Sequence, residues 1–224
     1  MRGNNKAEIY TSDDDRRRFL LLLGSARRRC GWRLHMYCLM GNHFHLLIET
    51  PQANIAEGMQ WLNTGYARGF NEIYGRVGHL FQRRYADGLI QDEEHLRAVI
   101  RYIPLNPVKA GLVNRPDDWR WSSHRATLGL TNAPRFLTVQ FVLGQFADDI
   151  ENARRLYRDW VEAGLSDMRP PAPPSPLEEI LGSVRPARPD LIRRARGAGY
   201  TFRAIARHFG VSVSTVYRWY LAEA

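Results

Sequence analysis

Cysteine, lysine and long apolar stretches are scarce in this sequence of 224 residues. Its two cysteines, Cys30 and Cys38, are too few for a disulfide framework or a cysteine-based metal knuckle. The longest unbroken apolar run covers five residues, Phe19 to Leu23, whereas a membrane-spanning helix needs roughly 20. The sequence opens with no basic and apolar leader, so we expect no secretion. These absences exclude membrane, secreted and disulfide-scaffold proteins and favour a cytoplasmic, nucleoid-associated protein.

The scarcity of lysine accompanies an abundance of arginine. Lys6 and Lys109 are the only lysines among 32 basic residues, and the formal net charge is +9. Guanidinium groups match phosphate oxygens in geometry, so nucleic acid is the natural partner of such a surface. A GC-rich genome that favours arginine codons would produce the same bias. The charge therefore suggests DNA or RNA binding, and the motifs must decide.

The prolines divide the chain into two bodies. Seven of the twelve prolines lie between Pro170 and Pro189, a density typical of a semi-rigid linker. The predicted organisation is a main domain over 1–130, a helical accessory segment over 131–168, a linker over 169–189 and a small domain over 190–224.

Apolar periodicity in the first body predicts an α+β fold with an antiparallel sheet. Alternating residues predict a β-hairpin, with a tight turn at Gly41 and Asn42. Steps of three and four residues predict the helices, and an extended segment is expected from Leu80 to Ile90. The predicted helices cover 13–30, 54–74, a stretch that begins after Asp92, 139–146 and 150–163, and the predicted strands cover 32–40 and 43–49.

Two histidines stand two positions apart in the second predicted strand. Alternation places the imidazoles of His43 and His45 on one face of that strand, while Phe44, Leu46 and Ile48 face the core. Two parallel imidazoles form half of a metal site. The alternative is a pair of hydrogen-bonded histidines on a solvated face, and the spacing alone does not separate the two interpretations.

A tyrosine and an asparagine stand four positions apart in the segment RYIPLNPVKAGLV. Tyr102 and Asn106 share a helical face if the helix continues that far, although Pro104 is expected to kink it. A phenol can attack a phosphodiester and hold the product covalently, and an amide oxygen can serve as a third metal ligand. The alternative is a buried tyrosine whose hydroxyl is hydrogen-bonded inside the fold.

The C-terminal segment TFRAIARHFGVSVSTVYRWY has the spacing of a helix-turn-helix. Thr201 and Ser212 are expected to cap its two helices, Gly210 to allow the turn and Val216 to pack back. A preceding helix is predicted from Asp190 to Arg196, and the inward residues of the next helix are Ile205, Ala206 and Phe209. A fragment from about Ser183 should fold alone and bind duplex DNA; the alternative is a dimerisation arm. The residues predicted to face the major groove are Ser212, Ser214, Thr215 and Arg218.

Four motifs together resemble one known family. In order they are GWRLHMYCLMGNHFHLLIETP, GRVGHLFQRRYADGLI, RYIPLNPVKAGLV and DDWRWSSHRATLG, over about residues 2 to 130. Their order and spacing resemble the REP-associated tyrosine transposases, of the single-tyrosine branch of the HUH endonucleases. The resemblance implies a ferredoxin-like HUH palm, to which a C-terminal helix-turn-helix is sometimes added. It further implies an enzyme that cleaves and rejoins single-stranded DNA hairpins through a 5′-phosphotyrosine.

The resemblance also assigns roles to residues. His43 and His45 would be the metal-binding pair, Tyr102 the nucleophile, and Asn106 the residue that completes the metal site. Imidazole ligands alone would suggest zinc, but the family implies Mg²⁺ or Mn²⁺. Near this site, the arginines expected to follow the backbone of a single strand are Arg83, Arg84, Arg97 and Arg101.

One departure from the family concerns the start of the chain. The family has a strand before its first helix, whereas Met1 to Thr11 resemble only the loop that follows such a strand. We therefore expect the N-terminal strand to be missing, with a miscalled start at Met1 favoured over a decayed copy of the gene. This departure keeps an alternative open, in which the protein is a non-catalytic, sequence-specific DNA-binding regulator.

Overall fold

A computed structural model describes residues 1–82, 85, 88–166, 181, 189–197, 200, 202–212 and 215–216. The chain divides into two compact units, Met1–Leu165 and Ser166–Ala224. Apart from residues 181 and 189, the predicted linker at 169–189 lies outside the described residues. No described helix combines the length and the apolar character needed to cross a membrane.

The first unit confirms the predicted α+β class, with an antiparallel sheet flanked by helices. The strands are β1 (Arg33–Leu39) and β2 (Phe44–Glu49), and the helices are α1 (Asp13–Cys30), α2 (Ile55–Tyr74), α3 (Glu93–Lys109), α4 (His124–Thr127), α5 (Val139–Leu143) and α6 (Ile150–Ser166). The second unit contains α7 (Pro189–Gly197) and α8 (Phe202–Phe209).

Local signals explain the limits of α1, the first of these helices. Ser12 caps its N-terminus in a reciprocal capping box with Asp15. Gly31 ends it in the left-handed region, at a φ of 68°, which glycine adopts without steric cost. Three acidic residues in the first turn and three arginines in the last complement the helix dipole. The predicted span of this helix is confirmed.

Strands β1 and β2 form a hairpin whose turn places the two histidines. The Met40 amide donates to the His43 carbonyl over 2.8 Å, and Cys38 pairs with His45 across the ladder. Phe44 packs against Phe19 of α1, with ring centroids 4.6 Å apart, so its face of β2 points towards α1. Since side chains alternate along a strand, His45 projects from the opposite face, towards α3.

The expected division of β2 into one core face and one solvated face is only partly correct. Phe44 is buried as predicted, but Leu46 and Ile48 are only partly buried. Leu47, on the face that carries His45, is buried instead. The reason is that α3 packs against β2 on that face, so both sides of the strand are partly covered.

The start of the chain lies beside β2 and corrects the expectation of a missing strand. A bridge joins Arg2 to His43 in antiparallel sense, and another joins Gly3 to Phe81. Residues 1–4 thus occupy the position between β2 and the segment around Phe81. The succession is that of a βαββαβ unit, in which the first and last strands are reduced to single bridges. The N-terminal residues therefore supply a short neighbour for the strand that carries the histidines.

A buried polar network ties α6 to the sheet layer. The His124 ring bonds through Nδ1 to the Tyr157 hydroxyl over 2.8 Å and through Nε2 to Asp117 Oδ1 over 3.0 Å. His124 is 1% exposed and Tyr157 is fully buried. The hydrogen bond from His124 holds the pKa of the Asp117 carboxyl below its usual value. Because every partner is satisfied, the network stabilises the fold, and removing one member leaves a buried group unpaired.

We expect Asp117→Asn to destabilise the first unit by about 1–3 kcal/mol at pH 7, since it weakens the charge-assisted bond to buried His124. The folded pKa of Asp117 is depressed, so its contribution is full above the unfolded value near 4 and is lost as the pH falls through the folded pKa. Urea unfolding of the protein and D117N at several pH values measures this difference. Asp118→Asn, at an exposed neighbour, is the control and should change little; a pH-independent difference would contradict the expectation.

The second unit has its own apolar core and contains the first two of the three predicted helices, while most of the third lies outside the described residues. Gly210 adopts a φ of 59° after α8, and the Thr215 amide donates to Ser212 Oγ over 3.1 Å, as expected of a helix cap. Thr201, the other predicted cap, lies outside the described residues. The core consists of Leu181, Ile192, Ala195, Ile205, Ala206, Phe209 and Val216.

Candidate active site

Three aromatic rings from β2, its preceding turn and α3 meet in the first unit. The ring centroids of His43 and His45 are 4.9 Å apart, and those of His45 and Tyr102 are 5.2 Å apart. In both pairs the rings are nearly perpendicular. The structure therefore brings together the histidine pair and the tyrosine that the sequence analysis selected from motifs about 60 residues apart.

The ring nitrogens of both histidines suit a cation. Asn42 Oδ1 lies 2.8 Å from His43 Nδ1, and because a carbonyl oxygen only accepts, Nδ1 carries the hydrogen. The other nitrogen of His43, Nε2, therefore keeps its lone pair. His45 Nε2 is buried and has no hydrogen-bond partner among the described residues. A buried nitrogen without a partner is unusual in a protein interior and is what a metal ligand leaves when the metal is absent.

The electrostatic surroundings keep both rings neutral. Burial lowers the pKa of His43 to about 4, and the nearby Arg2 and N-terminal charges act in the same direction. Burial, followed by the His43 charge, lowers the pKa of His45 to about 4. At neutral pH both imidazoles are therefore unprotonated, which is the form that binds metals. In the described part of the chain, no three His, Cys, Asp or Glu side chains cluster in a way that could hold a metal ion.

Helix α3 continues through two prolines, and this positions Asn106. The predicted kink at Pro104 does not interrupt it, because the helix runs from Glu93 to Lys109. Pro107 has no N–H and cannot donate to the carbonyl of Ile103. The Asn106 side chain replaces that donor: its Nδ2 lies 3.4 Å from the Ile103 carbonyl and 2.8 Å from that of Tyr102. With its amino group bound to two carbonyls, Asn106 presents Oδ1 as its remaining polar atom.

The Tyr102 side chain is accessible, unlike a tyrosine buried for packing. Its exposed fraction is 42%, so a nucleic-acid strand can reach the hydroxyl. Lys109 Nζ lies 4.9 Å from the centroid of the Tyr102 ring, a cation–π contact that the sequence analysis did not select. The sequence did contain a signal for this contact with Lys109. Tyr102, Asn106 and Lys109 follow one another at steps of four and three, which places them on one helical face.

The predicted DNA-contacting arginines of α3 are engaged within the protein. Arg97 donates through Nη2 to the Gln145 carbonyl over 2.6 Å, and its guanidinium stacks on the Phe146 ring. Arg101 lies over the Trp160 ring, 3.5 Å from its centroid. Both side chains thus contribute to the packing of the flanking helical segment, and a role in DNA binding stays a prediction. Arg83 and Arg84 lie outside the described residues.

Of the residues predicted to read duplex DNA, Ser212 and Thr215 are described. Their hydroxyl oxygens are 2.8 Å apart, and the Thr215 amide donates to Ser212 Oγ. Ser214 and Arg218 lie outside the described residues. The contact of these four residues with a DNA groove stays a prediction.

Two family profiles match this chain. Residues 1–106 match the family described as IS200-like transposases. Residues 191–223 match the homeodomain-like domain family, which covers most of the predicted helix-turn-helix. The first match includes the two histidines, Tyr102 and Asn106, and the second includes α7 and α8.

Two known proteins are similar to parts of the chain. A protein of Haemophilus influenzae named as a REP-associated tyrosine transposase is 34% identical over 100 residues, which cover 39% of this chain and 57% of that protein. The similarity thus spans little more than half of the relative's length. A solved structure, described as the REP-associated tyrosine transposase bound to a REP hairpin, covers 66% of this chain and 81% of its own, at 17% identity and a TM-score of 0.47.

Proposed function

Because residues 1–106 of this chain match the family described as IS200-like transposases, we propose that the protein cleaves and rejoins single-stranded DNA that folds into hairpins. The observation that carries the proposal is the accessible Tyr102, whose ring contacts His45 at a centroid distance of 5.2 Å. A nucleophile and a pair of metal-ligating groups are the parts that phosphodiester cleavage requires.

Tyr102 would act as the nucleophile. Its phenolic oxygen loses its proton to water and bonds to the scissile phosphorus, while the bond from phosphorus to the 3′-oxygen of the preceding nucleotide breaks and that oxygen takes up a proton from water. The product is a 5′-phosphotyrosine and a free 3′-hydroxyl. Rejoining is the reverse attack by a 3′-hydroxyl, which releases the tyrosine. The protein needs no external energy source, because the phosphotyrosine bond conserves the energy of the cleaved diester.

His43, His45 and Asn106 would hold a divalent cation, for which Mg²⁺ and Mn²⁺ are the family's candidates. The neutral rings and the His45 Nε2 without a partner fit a cation. Asn106 Oδ1, whose side chain is held through Nδ2, would supply an oxygen ligand. When bound, such a cation polarises the phosphate and stabilises the charge on the leaving oxygen. His43 and His45 would hold the cation, and α3 places the Tyr102 ring beside that of His45.

The homeodomain-like unit would bind duplex DNA and so hold the transposase domain near its target. Phosphate contacts give such binding a steep dependence on salt. The rival function, a regulator without catalysis, needs this unit alone. A denaturant-resistant adduct between the protein and a hairpin oligonucleotide separates the two functions, because a regulator forms none.

We expect a fragment of residues 166–224 to fold and to bind duplex DNA, whereas a fragment from Ser183 should be less stable. The shorter fragment lacks Leu181, whose side chain is 2% exposed in the core of this unit. Loss of a buried leucine side chain costs about 2–5 kcal/mol, which a small domain tolerates poorly. Thermal melts followed by circular dichroism compare the fragments, and anisotropy titrations at several salt concentrations measure binding. If the 166–224 fragment is helical but does not bind DNA at low salt, the result would instead indicate that this unit is a dimerisation arm.

A further inference from the structure

Helix α3 has two faces with different surroundings, and a lysine lies on the face that carries Tyr102. On one face, the side chains of Arg101 and Leu105 lie against Gly164 of α6, each 2.7 Å from the place that a Cβ of this glycine would occupy. On the other face, Lys109 Nζ is 4.9 Å from the centroid of the Tyr102 ring. A positive charge from the same helix thus contacts the ring of the proposed nucleophile.

The Lys109 ammonium is available to an anion that comes from outside the protein. Its side chain is exposed, and it takes part in none of the ion pairs among the described residues. The two arginines of α3 are engaged instead: Arg97 donates to the Gln145 carbonyl, and Arg101 lies over the Trp160 ring. Of these three cations of the helix, Lys109 is therefore the one placed to meet a phosphate at Tyr102.

The reach of a lysine side chain fits such a contact. Lysine has a flexible four-carbon stem that ends in three donors. The phenolic oxygen of Tyr102 belongs to the ring that Nζ already approaches, so a phosphate bonded to this oxygen is within reach after rotation of the stem. His45, on β2, contacts the same ring at a centroid distance of 5.2 Å. The proposed cation and the lysine would thus approach one phosphate from two different elements.

A purely structural role is the alternative for Lys109. A cation in the last turn of a helix stabilises the helix through its dipole, and the contact with an aromatic ring adds to this effect. Such a role predicts that loss of the charge lowers the melting temperature and leaves DNA binding and cleavage unchanged. A contact with phosphate predicts the opposite pattern.

We propose that Lys109 is a further catalytic residue, whose ammonium donates a hydrogen bond to a nonbridging oxygen of the phosphate at Tyr102. The inference rests on the proposed function, because this phosphate belongs to the strand that the enzyme cleaves. The nonbridging oxygens gain negative charge during the attack, so a cation beside them stabilises the transition state more than the starting diester. The lysine transfers no proton, and the bonds that form and break are those of the cleavage step. It would lie beside the same phosphate in the phosphotyrosine and so assist rejoining as well.

The first test compares Lys109→Met and Lys109→Arg with the unchanged full-length protein. The probe is a labelled pool of synthetic hairpins with randomised single-stranded flanks, incubated with Mn²⁺ and analysed on denaturing gels. We expect K109M to form the adduct about a hundredfold more slowly at saturating DNA, the loss typical of one transition-state donor. K109R keeps a phosphate-binding cation and should stay within about tenfold of the unchanged protein. An unchanged rate with K109M overturns the inference.

Binding of the same pool in EDTA gives a readout that does not depend on cleavage. Each phosphate contact that is lost lowers the slope of log K against log salt by about 0.7 for a single strand. We expect this decrease for K109M. The control is Arg17→Met, which removes a charge from an exposed position of α1, on the other side of the sheet, and should leave the slope unchanged.

The two readouts together separate the possible outcomes. A slower adduct with an unchanged salt slope would overturn the phosphate contact, because it would mean that Lys109 only holds the Tyr102 ring. A lower melting temperature with unchanged rate and slope would indicate the structural role and would also overturn it. If the unchanged protein forms no adduct, the proposed function fails, and the slope alone then decides whether Lys109 contacts phosphate.

Discussion

Replacing Tyr102 with phenylalanine is expected to abolish the covalent protein–DNA adduct while hairpin binding stays within about twofold of its original value. The substitution removes one oxygen, and phenylalanine keeps the ring contact with His45 and the cation–π contact with Lys109. No other described tyrosine has its ring against the histidine pair, so no substitute nucleophile is in place. The measurement is a denaturing gel of protein incubated with a labelled hairpin and Mn²⁺.

Tyr74→Phe is the matched control for this substitution. Tyr74 is exposed to a similar degree, 38% against 42%, but lies at the end of α2 and bonds to Asp15. The Y74F protein should form the adduct at the rate of the unchanged protein. An adduct of undiminished yield with Y102F would refute the assignment of the nucleophile. Loss of both the adduct and hairpin binding would instead mean that Tyr102 serves in binding.

Alanine at His43 or His45 is expected to reduce Mn²⁺-dependent cleavage at least about a hundredfold, with little loss of stability. Even substitutions in the outer shell of a metal site cost about 10–100-fold, so a lost ligand should cost no less. The fold should tolerate the change at His45, because its buried Nε2 makes no hydrogen bond that the substitution would break. Excess EDTA should abolish cleavage by the unchanged protein to the same degree.

Calorimetric titration with Mn²⁺ gives an independent reading of this site. The unchanged protein should bind one ion in the transposase domain, and H43A and H45A should bind it far more weakly. His95→Ala, at an exposed histidine in the first turn of α3, should bind and cleave normally. Full cleavage in excess EDTA would refute the metal site, whichever variant is examined.

The sequence predicted the hairpin and the main helices because their signals are local. Alternation and the Gly41–Asn42 turn defined the strands, and a four-residue spacing placed Tyr102 above Asn106. The N-terminal pairing was missed because residues 1–4 show no alternation of apolar residues. Their position depends on distant partners: the Gly3 amide donates to Asn42 and the Asn4 amide to Leu80. Local patterns carry no signal for such contacts.

The arginines show a second limit of sequence reasoning. A guanidinium near a nucleophile suggests a phosphate partner, but Arg97 lies over Phe146 and Arg101 over Trp160, rings that are 49 and 59 residues further along the chain. Only the packing of the flanking helical segment brings those rings into reach.

The two hydrogen bonds from Asn106 Nδ2 to the carbonyls of Tyr102 and Ile103 have a consequence for ligand affinity. A free asparagine side chain samples several rotamers, and a ligand that selects one of them must overcome the lost entropy. Here folding has already fixed the side chain. Pro107 leaves the Ile103 carbonyl without a backbone donor, and Asn106 Nδ2 donates to that carbonyl and to that of Tyr102. If Asn106 Oδ1 binds the proposed cation, the cation would meet this oxygen in one orientation, and binding would require little further ordering of the side chain. On that proposal, the proline that removes a helix hydrogen bond would also preorganise the site.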